Sequence, residues 1–404
     1  MSIGAATIPV ARPWMDDREA NAARRVILSG WVTQGPEVLA FEREFAAAVG
    51  ASHACAASSC TAALHMALVA IGAGPGDEVV TASHSFIATA NAVRYTGAVP
   101  VFVDVDLETG NIDPALVEQA ITARTKAILC VHQLGMPCEL ERIVEIGLRR
   151  GVPVIEDAAC AAGSEIRWEG QWEPIGRPRG AVACFSFHPR KVLSTGDGGM
   201  LTTNDADLDR RFRLLRQHGM SVPDAVRHAS PTVVFEEYPE AGFNYRMTDI
   251  QAAVGREQLK RLREMVSRRR TMAARYADTL ANVPGVRAPR EPEWSRSNWQ
   301  SYAVQLAEGA DQRAVMQRML DAGVSTRRGV MNTHREKSYP PGSWYCGVSH
   351  AACTCVEPGR CACLRRGEQL QDTSIVLPLF HQMTNAEQDV VVATLAAAVR
   401  SSHA

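Results

Sequence analysis

The chain has 404 residues, 46% of them hydrophobic and 22% charged, with a formal net charge of -1. That length exceeds one simple core and makes two domains the natural expectation, with enough buried surface that folding needs no disulfides. The near-neutral charge excludes a global field for nucleic acid or an anionic membrane, and no apolar run reaches the roughly 18 residues of a membrane span. The N-terminal stretch lacks a basic segment followed by an apolar one, so the expected location is the cytoplasm, where the eleven cysteines are mostly reduced thiols.

Taken in chain order, residues 50–205 alternate short apolar runs with helical stretches. The helix TAALHMALVAIG (61–72) precedes the strand VVTASHSF (79–86), and ATANAVRYTG (88–97) precedes VPVFVDVD (99–106). The pattern repeats with DPALVEQAI (113–121) and AILCVHQL (127–134), then with LERIVEIGLRRG (140–151) and VPVIEDAA (152–159). Two further strands follow, AVACFSFH (181–188) and GMLTTND (199–205). Strands that are short, β-branched or aromatic and bounded by Gly or Pro, alternating with helices, predict an α/β fold with a mostly parallel sheet covered on both faces. Beyond residue 250 the texture changes to one or two long amphipathic helices (250–283), then a smaller α/β unit closing with the helix 385–399. The expected division is a large domain 1–260 and a small domain 261–404.

Three segments carry candidate chemistry. In CFSFHPRKVLSTGDGGM (184–200), Lys191 directly follows a strand end and precedes Gly196, Gly198 and Gly199. Only four lysines occur, and Lys126, Lys260 and Lys337 all read as solvated charges. A nucleophilic lysine must be neutral, so Lys191 is expected where burial or nearby cations lower its pKa. In VIEDAACAAGS (154–164), Asp157 ends an apolar strand, the position where parallel sheets bind ligands. It either pairs with a cationic ring nitrogen or caps a following helix. In SSCTAALHMAL (58–68), small hydroxyl residues open a helix; they serve either as N-caps or as an anion cup.

Together these motifs resemble the DegT/DnrJ/EryC1/StrS family of sugar aminotransferases, of the fold type I architecture. The similarity runs from TQGPEVLAFEREFA (33–46) to AGFNYRMTDIQAAVGREQL (241–259) and resumes at VLPLFHQMTNAEQ (376–388). The resemblance implies that Lys191 holds pyridoxal 5'-phosphate as a Schiff base and shuttles a proton, while Asp157 pairs with the pyridine nitrogen. It places Cys60, Thr61 and Ser186 at the phosphate, Phe86 on the ring face and His188 in the pocket. It makes Asn244 and Arg246 part of a loop reaching the neighbouring subunit, hence a homodimer with shared sites. The implied substrates are an L-glutamate or L-glutamine donor and a nucleotide-linked keto-hexose or cyclitol ketone, exchanged by a ping-pong mechanism. Arg327 and Arg328 either bind an acidic substrate group or are solvated.

Two features depart from the family pattern. Cys160 stands where many relatives have Gln, and a thiol is a poorer hydrogen-bond partner than an amide. The stretch 344–372 contains Cys346, His350, Cys353, Cys355, Cys361 and Cys363, which read as a metal site, disulfides or an unligated loop. Two other functions compete with transamination. Deoxysugar dehydratases of the family replace the lysine with histidine, and some carry an iron–sulfur cluster, so Lys191 opposes that reading. A non-catalytic regulatory protein on the same fold is opposed by the intact Lys191 and Asp157.

Overall fold

The structure is a computed structural model that describes residues 7–222, 227, 230–347 and 359–400. The strands in the first half are β1 (His53–Ala57), β2 (Glu78–Ala82), β3 (Val99–Val103), β4 (Thr125–Val131) and β5 (Val154–Asp157). They continue with β6 (Glu165–Trp168), β7 (Gln171–Pro174), β8 (Val182–Ser186) and β9 (Gly199–Thr203). The remainder are β10 (Val286–Arg287), β11 (Ser295–Arg296), β12 (Tyr302–Leu306), β13 (Arg327–Arg328), β14 (Tyr345–Cys346) and β15 (Ser374–Leu377).

An eight-stranded sheet in the order β1-β9-β8-β5-β4-β2-β3-β14 forms the centre of the molecule. Every neighbouring pair from β8 to β14 is parallel, whereas β9 runs antiparallel to both β1 and β8. The sheet is buried on both faces, as the near-continuous apolar strands require. Along β4, Ile128 and Cys130 face a core shared with the helices Pro36–Val49 and Leu140–Arg150, while Ala127 and Leu129 face a second core under the helix Cys60–Ala70. Local signals set the helix ends. Ser59 accepts a hydrogen bond from the Ala62 amide, and Gly151 closes its helix with φ 64°.

The predicted strands are real, but all six of them stop early. The runs 79–86, 152–159 and 181–188 leave the ladder at Ala82, Asp157 and Ser186. The apolar pattern continues past these points because the residues beyond are still buried, although their backbone bonds go elsewhere. Ser83 accepts from the Thr333 amide, and Phe187 donates to Gly198 across the β8–β9 loop. Strand β1 has no signal of its own: HACAA lacks β-branched residues, and its pairing with β9 makes it a strand.

Of the one or two long helices expected over 250–283, the structure has two, Asp249–Lys260 and Leu262–Leu280, meeting at Arg261. A third core lies around the antiparallel sheet β10-β12-β15-β13 with the helices Gln312–Asp321 and Asn385–Arg400. Two segments cross back: Ile8 bridges Val324, and β14 joins the large sheet beside β3. Among the described residues no helix is long and apolar enough to cross a membrane.

Register decides what gathers at the strand ends. Ala57 of β1 lies opposite Gly199 of β9, which lies opposite Ser186 of β8. A β-carbon on Gly199 would sit 2.5 Å from the Ser59 carbonyl and 2.7 Å from the Cys60 nitrogen. The Gly199→Ala variant is therefore expected to lose about 1–3 kcal/mol of stability from overpacking and to bind anions at the Cys60 helix start less tightly. Thermal melting and cofactor titration measure the two effects.

Candidate active site

A cavity of about 550 Å³ opens where these strand ends converge. It is lined by Cys60, Thr61, Phe86, Asp157, Cys160, Ser186, His188 and Lys191, so eight of the expected site residues come together. Asn244 and Arg246 are not part of its lining. Asn244 is exposed and bridges Gln217, and the intervening Tyr245 carbonyl accepts from the Ser58 amide.

The loop after β8 carries Lys191. Phe187 anchors that loop in an aromatic cluster, 5.4 Å from Phe41 and 5.6 Å from Phe45 between ring centroids. The Lys191 amide then donates to the His188 carbonyl at 2.8 Å, and the Thr195 amide returns to the Phe187 carbonyl at 2.9 Å. The side chain is thereby directed at the floor, where Nζ lies 3.0 Å from Cys160 Sγ. Burial alone pulls the amine's pKa down, as expected from the sequence. The negative charge available at Cys160, Cys60 and Asp157 outweighs it, and the net shift is upward. The expected lowering is thus corrected: the amine sits among acidic groups, and nearby cations do not dominate its surroundings.

Asp157 is 5% exposed, and burial, the largest effect on it, raises its pKa. Neutral donors oppose that rise: Thr89 Oγ1 donates to Oδ2 at 2.7 Å and the Ala159 amide to Oδ1 at 3.1 Å. The residues following β5 form turns, so the alternative of Asp157 capping a helix does not apply. A cationic ring nitrogen opposite this carboxylate offsets the cost of keeping it ionised out of water.

The other walls suit a phosphate and an aromatic ring. The helix Cys60–Ala70 points its first turn at the cavity, where the leading N–H groups have no intrahelical acceptors and the dipole favours an anion. Phe86 is 61% exposed although aromatic, a bare ring face at the cavity wall. His188 Nδ1 accepts from the Arg190 amide, and burial followed by the charge of Arg190 depresses the imidazole's pKa, which favours its neutral form. Arg327 and Arg328 line the cavity from β13, and Arg190 joins them.

Sequence reasoning missed Thr89 and Arg190. Thr89 sits one turn beyond Ser85, whose hydroxyl it meets at 2.7 Å, and nothing in a linear reading of SFIATAN marks that chain as ending on Asp157. Also missed was the fully buried His132, whose Nε2 meets Glu156 at 3.0 Å while its Nδ1 accepts from the Cys138 amide. His132 is among the residues around the cavity, as is Asp157.

A family model described as the DegT/DnrJ/EryC1/StrS aminotransferase family matches residues 13–396. The chain belongs to that family. The spore coat polysaccharide biosynthesis protein SpsC of Bacillus subtilis (strain 168) is 42% identical over 301 residues, 74% of this chain and 76% of SpsC. Among solved structures, the aminotransferase TlmJ of Streptoalloteichus hindustanus superposes with a TM-score of 0.86 at 32% identity, covering 98% of this chain and 100% of TlmJ. S. venezuelae DesV, solved with a ketimine intermediate, gives 0.83 at 31% identity, with 97% and 98% coverage. The protein is a pyridoxal-phosphate-dependent aminotransferase of fold type I.

The Thr89–Asp157 contact yields a signed prediction. Replacing Thr89 with Val removes a bond that favours the ionised carboxylate, so the Asp157 pKa rises further. Turnover is expected to fall about tenfold, the worth of one hydrogen bond to a charged group. The acid limb of the kcat–pH profile should move to higher pH, because the carboxylate is then lost earlier as pH falls.

Proposed function

We propose that this enzyme moves an amino group from L-glutamate or L-glutamine to a keto-sugar by ping-pong exchange. A nucleotide-linked keto-hexose is the first choice of acceptor and a cyclitol ketone the second. The observation that supports this most is the pairing of Lys191 with a wide cavity that Arg190, Arg327 and Arg328 also line. Three guanidinium groups beside one amine suit a donor carboxylate in one half-reaction and an acceptor's phosphate in the other. The name of SpsC, a polysaccharide biosynthesis protein, supports a sugar acceptor.

When bound, pyridoxal phosphate supplies the electron sink that stabilises negative charge on the substrate carbon. In this proposal the protein's groups divide the remaining work. The first turn of the helix Cys60–Ala70, with Ser186, holds the phosphate, and Asp157 keeps the ring nitrogen protonated. Lys191 Nζ takes the proton from the amino-bearing carbon and returns it. Phe86 covers the ring face and excludes water, and neutral His188 lines the substrate side. Cys160 holds the lysine where relatives of this family have an amide side chain.

We further propose a cytoplasmic homodimer in which Asn244 and Arg246 complete the partner's site. Both lie off the cavity of their own chain. The nearby segment presents Val233 and Phe235, 85% and 87% exposed, the kind of apolar surface an interface covers.

The purified enzyme should absorb in the visible region, lose that absorbance with L-glutamate or L-glutamine, and regain it when a keto-sugar is added. Lys191→Ala should retain the fold and lose at least roughly 10²–10⁴-fold in kcat, the range for a positioned proton-transfer group. Absorbance that no amino donor bleaches would sink the transaminase mechanism and favour dehydration or a non-catalytic role. Arg327→Ala should raise the KM of the acidic donor or acceptor about tenfold with little change in kcat, as loss of uniform binding does.

A further inference from the structure

The cysteine-rich stretch lies away from the Lys191 cavity, and three of its sulfurs converge. Cys346 ends β14, and Cys361 and Cys363 belong to the turn before the helix Arg365–Thr373. Their Sγ atoms all lie within 4.8 Å of one another, with Cys346 and Cys361 buried and Cys363 half-buried. We propose that these three thiolates hold a structural zinc ion.

The geometry matches a single ion. Zinc–sulfur bonds of about 2.3 Å in a tetrahedron put the sulfurs about 3.8 Å apart, compatible with three sulfurs that all lie within 4.8 Å of one another. An iron–sulfur cube spreads its cysteine ligands over separate corners and needs a wider arrangement. Three thiolate donors also select a soft or borderline ion over magnesium or calcium. The Cys-x-Cys spacing in the sequence is unlike that of ordinary zinc motifs, but Cys346 approaches from a different element, so the spacing along the chain does not limit the site. A fourth donor, protein or solvent, completes the tetrahedron. His350, Cys353 and Cys355 of the same stretch lie outside the described residues. On binding, each thiol gives its proton to solvent as its sulfur bonds the ion, without any change in oxidation state.

The surroundings give such an ion a purpose. Strand β14 is only two residues long, pairing Tyr345 and Cys346 with Val101 and Phe102, too short to hold a sheet edge alone. Trp344 packs on Phe102 at 5.6 Å, and the Cys361 amide donates to Glu368 at 2.6 Å. Glu368 also accepts from His334 Nε2 at 3.0 Å, and His334 Nδ1 meets Ser83 Oγ at 2.6 Å. Ser83 begins the turn that presents Phe86. The ion would tie β14 to the 359–364 turn and brace the outer end of this chain of contacts.

Enzyme produced with added zinc and purified without chelator should contain about one zinc per chain by elemental mass spectrometry. Replacing zinc with cobalt(II) should produce sulfur-to-cobalt charge-transfer bands and the visible absorption of a tetrahedral thiolate site. Cys363→Ser, at the half-exposed position, should keep the visible cofactor absorbance and lose more than about tenfold in zinc affinity. Three results would overturn the assignment. One is wild-type enzyme free of zinc whose thiols react freely or are two hydrogens short of their expected mass. Another is iron with a cluster spectrum. The third is zinc retained at full affinity after Cys363→Ser. The cobalt spectrum of the wild type decides the matter even if the variant fails to fold.

Discussion

The whole site depends on one constraint of parallel β-sheets: strands that run the same way end on the same side. Strands β8, β5, β4, β2 and β3 are mutually parallel, so the residues that follow them emerge at one edge. Asp157 pairs in register with Val131 on one side and Cys184 on the other, two residues short of Ser186. The antiparallel pair β9 and β1 would seem to break this rule. In fact it extends it, because the C-terminal end of β1 returns to the same edge and sets the Cys60 helix start beside Ser186.

Placing the reactive groups at that edge creates an electrostatic problem, and the structure meets it by mutual compensation. A buried carboxylate and a buried amine each resist ionisation in isolation. Here Asp157 and Cys160 favour the charge of Lys191, and Lys191 with Thr89 favours the charge of Asp157. The amine therefore does not rest as the free nucleophile that burial alone would produce. Cys160 is the unusual member of this set, bringing a polarisable and weakly acidic sulfur to the nitrogen.

The smaller C-terminal core adds the cations. Strand β13 is central to nothing, an edge strand of two residues, yet it brings Arg327 and Arg328 to the cavity that Lys191 lines. Pairing with β15 positions them, and β15 itself is held between β12 and β13. Arg190, from the loop that carries Lys191, is the third cation of that lining, so both cores contribute to it.

Much of this was legible in the sequence because it is local. Strand-length apolar runs, helix caps at Ser59 and Asp113, and a lysine between a strand end and a glycine-rich turn are all properties of a few consecutive residues. So the α/β class, the predicted strands of the large sheet and the candidacy of Lys191 and Asp157 as site residues could be read directly or through the family's motifs. Strand β1 could not be, because HACAA is a strand only by virtue of β9. Neither could the Thr89 bond to Asp157, the approach of Arg190, nor the sign of the shift at Lys191, since each depends on groups tens of residues away. The sequence by itself determined which residues can do the chemistry. The tertiary structure decided which of them meet, because electrostatics and sulfur–sulfur spacing act through distance in space and not along the chain.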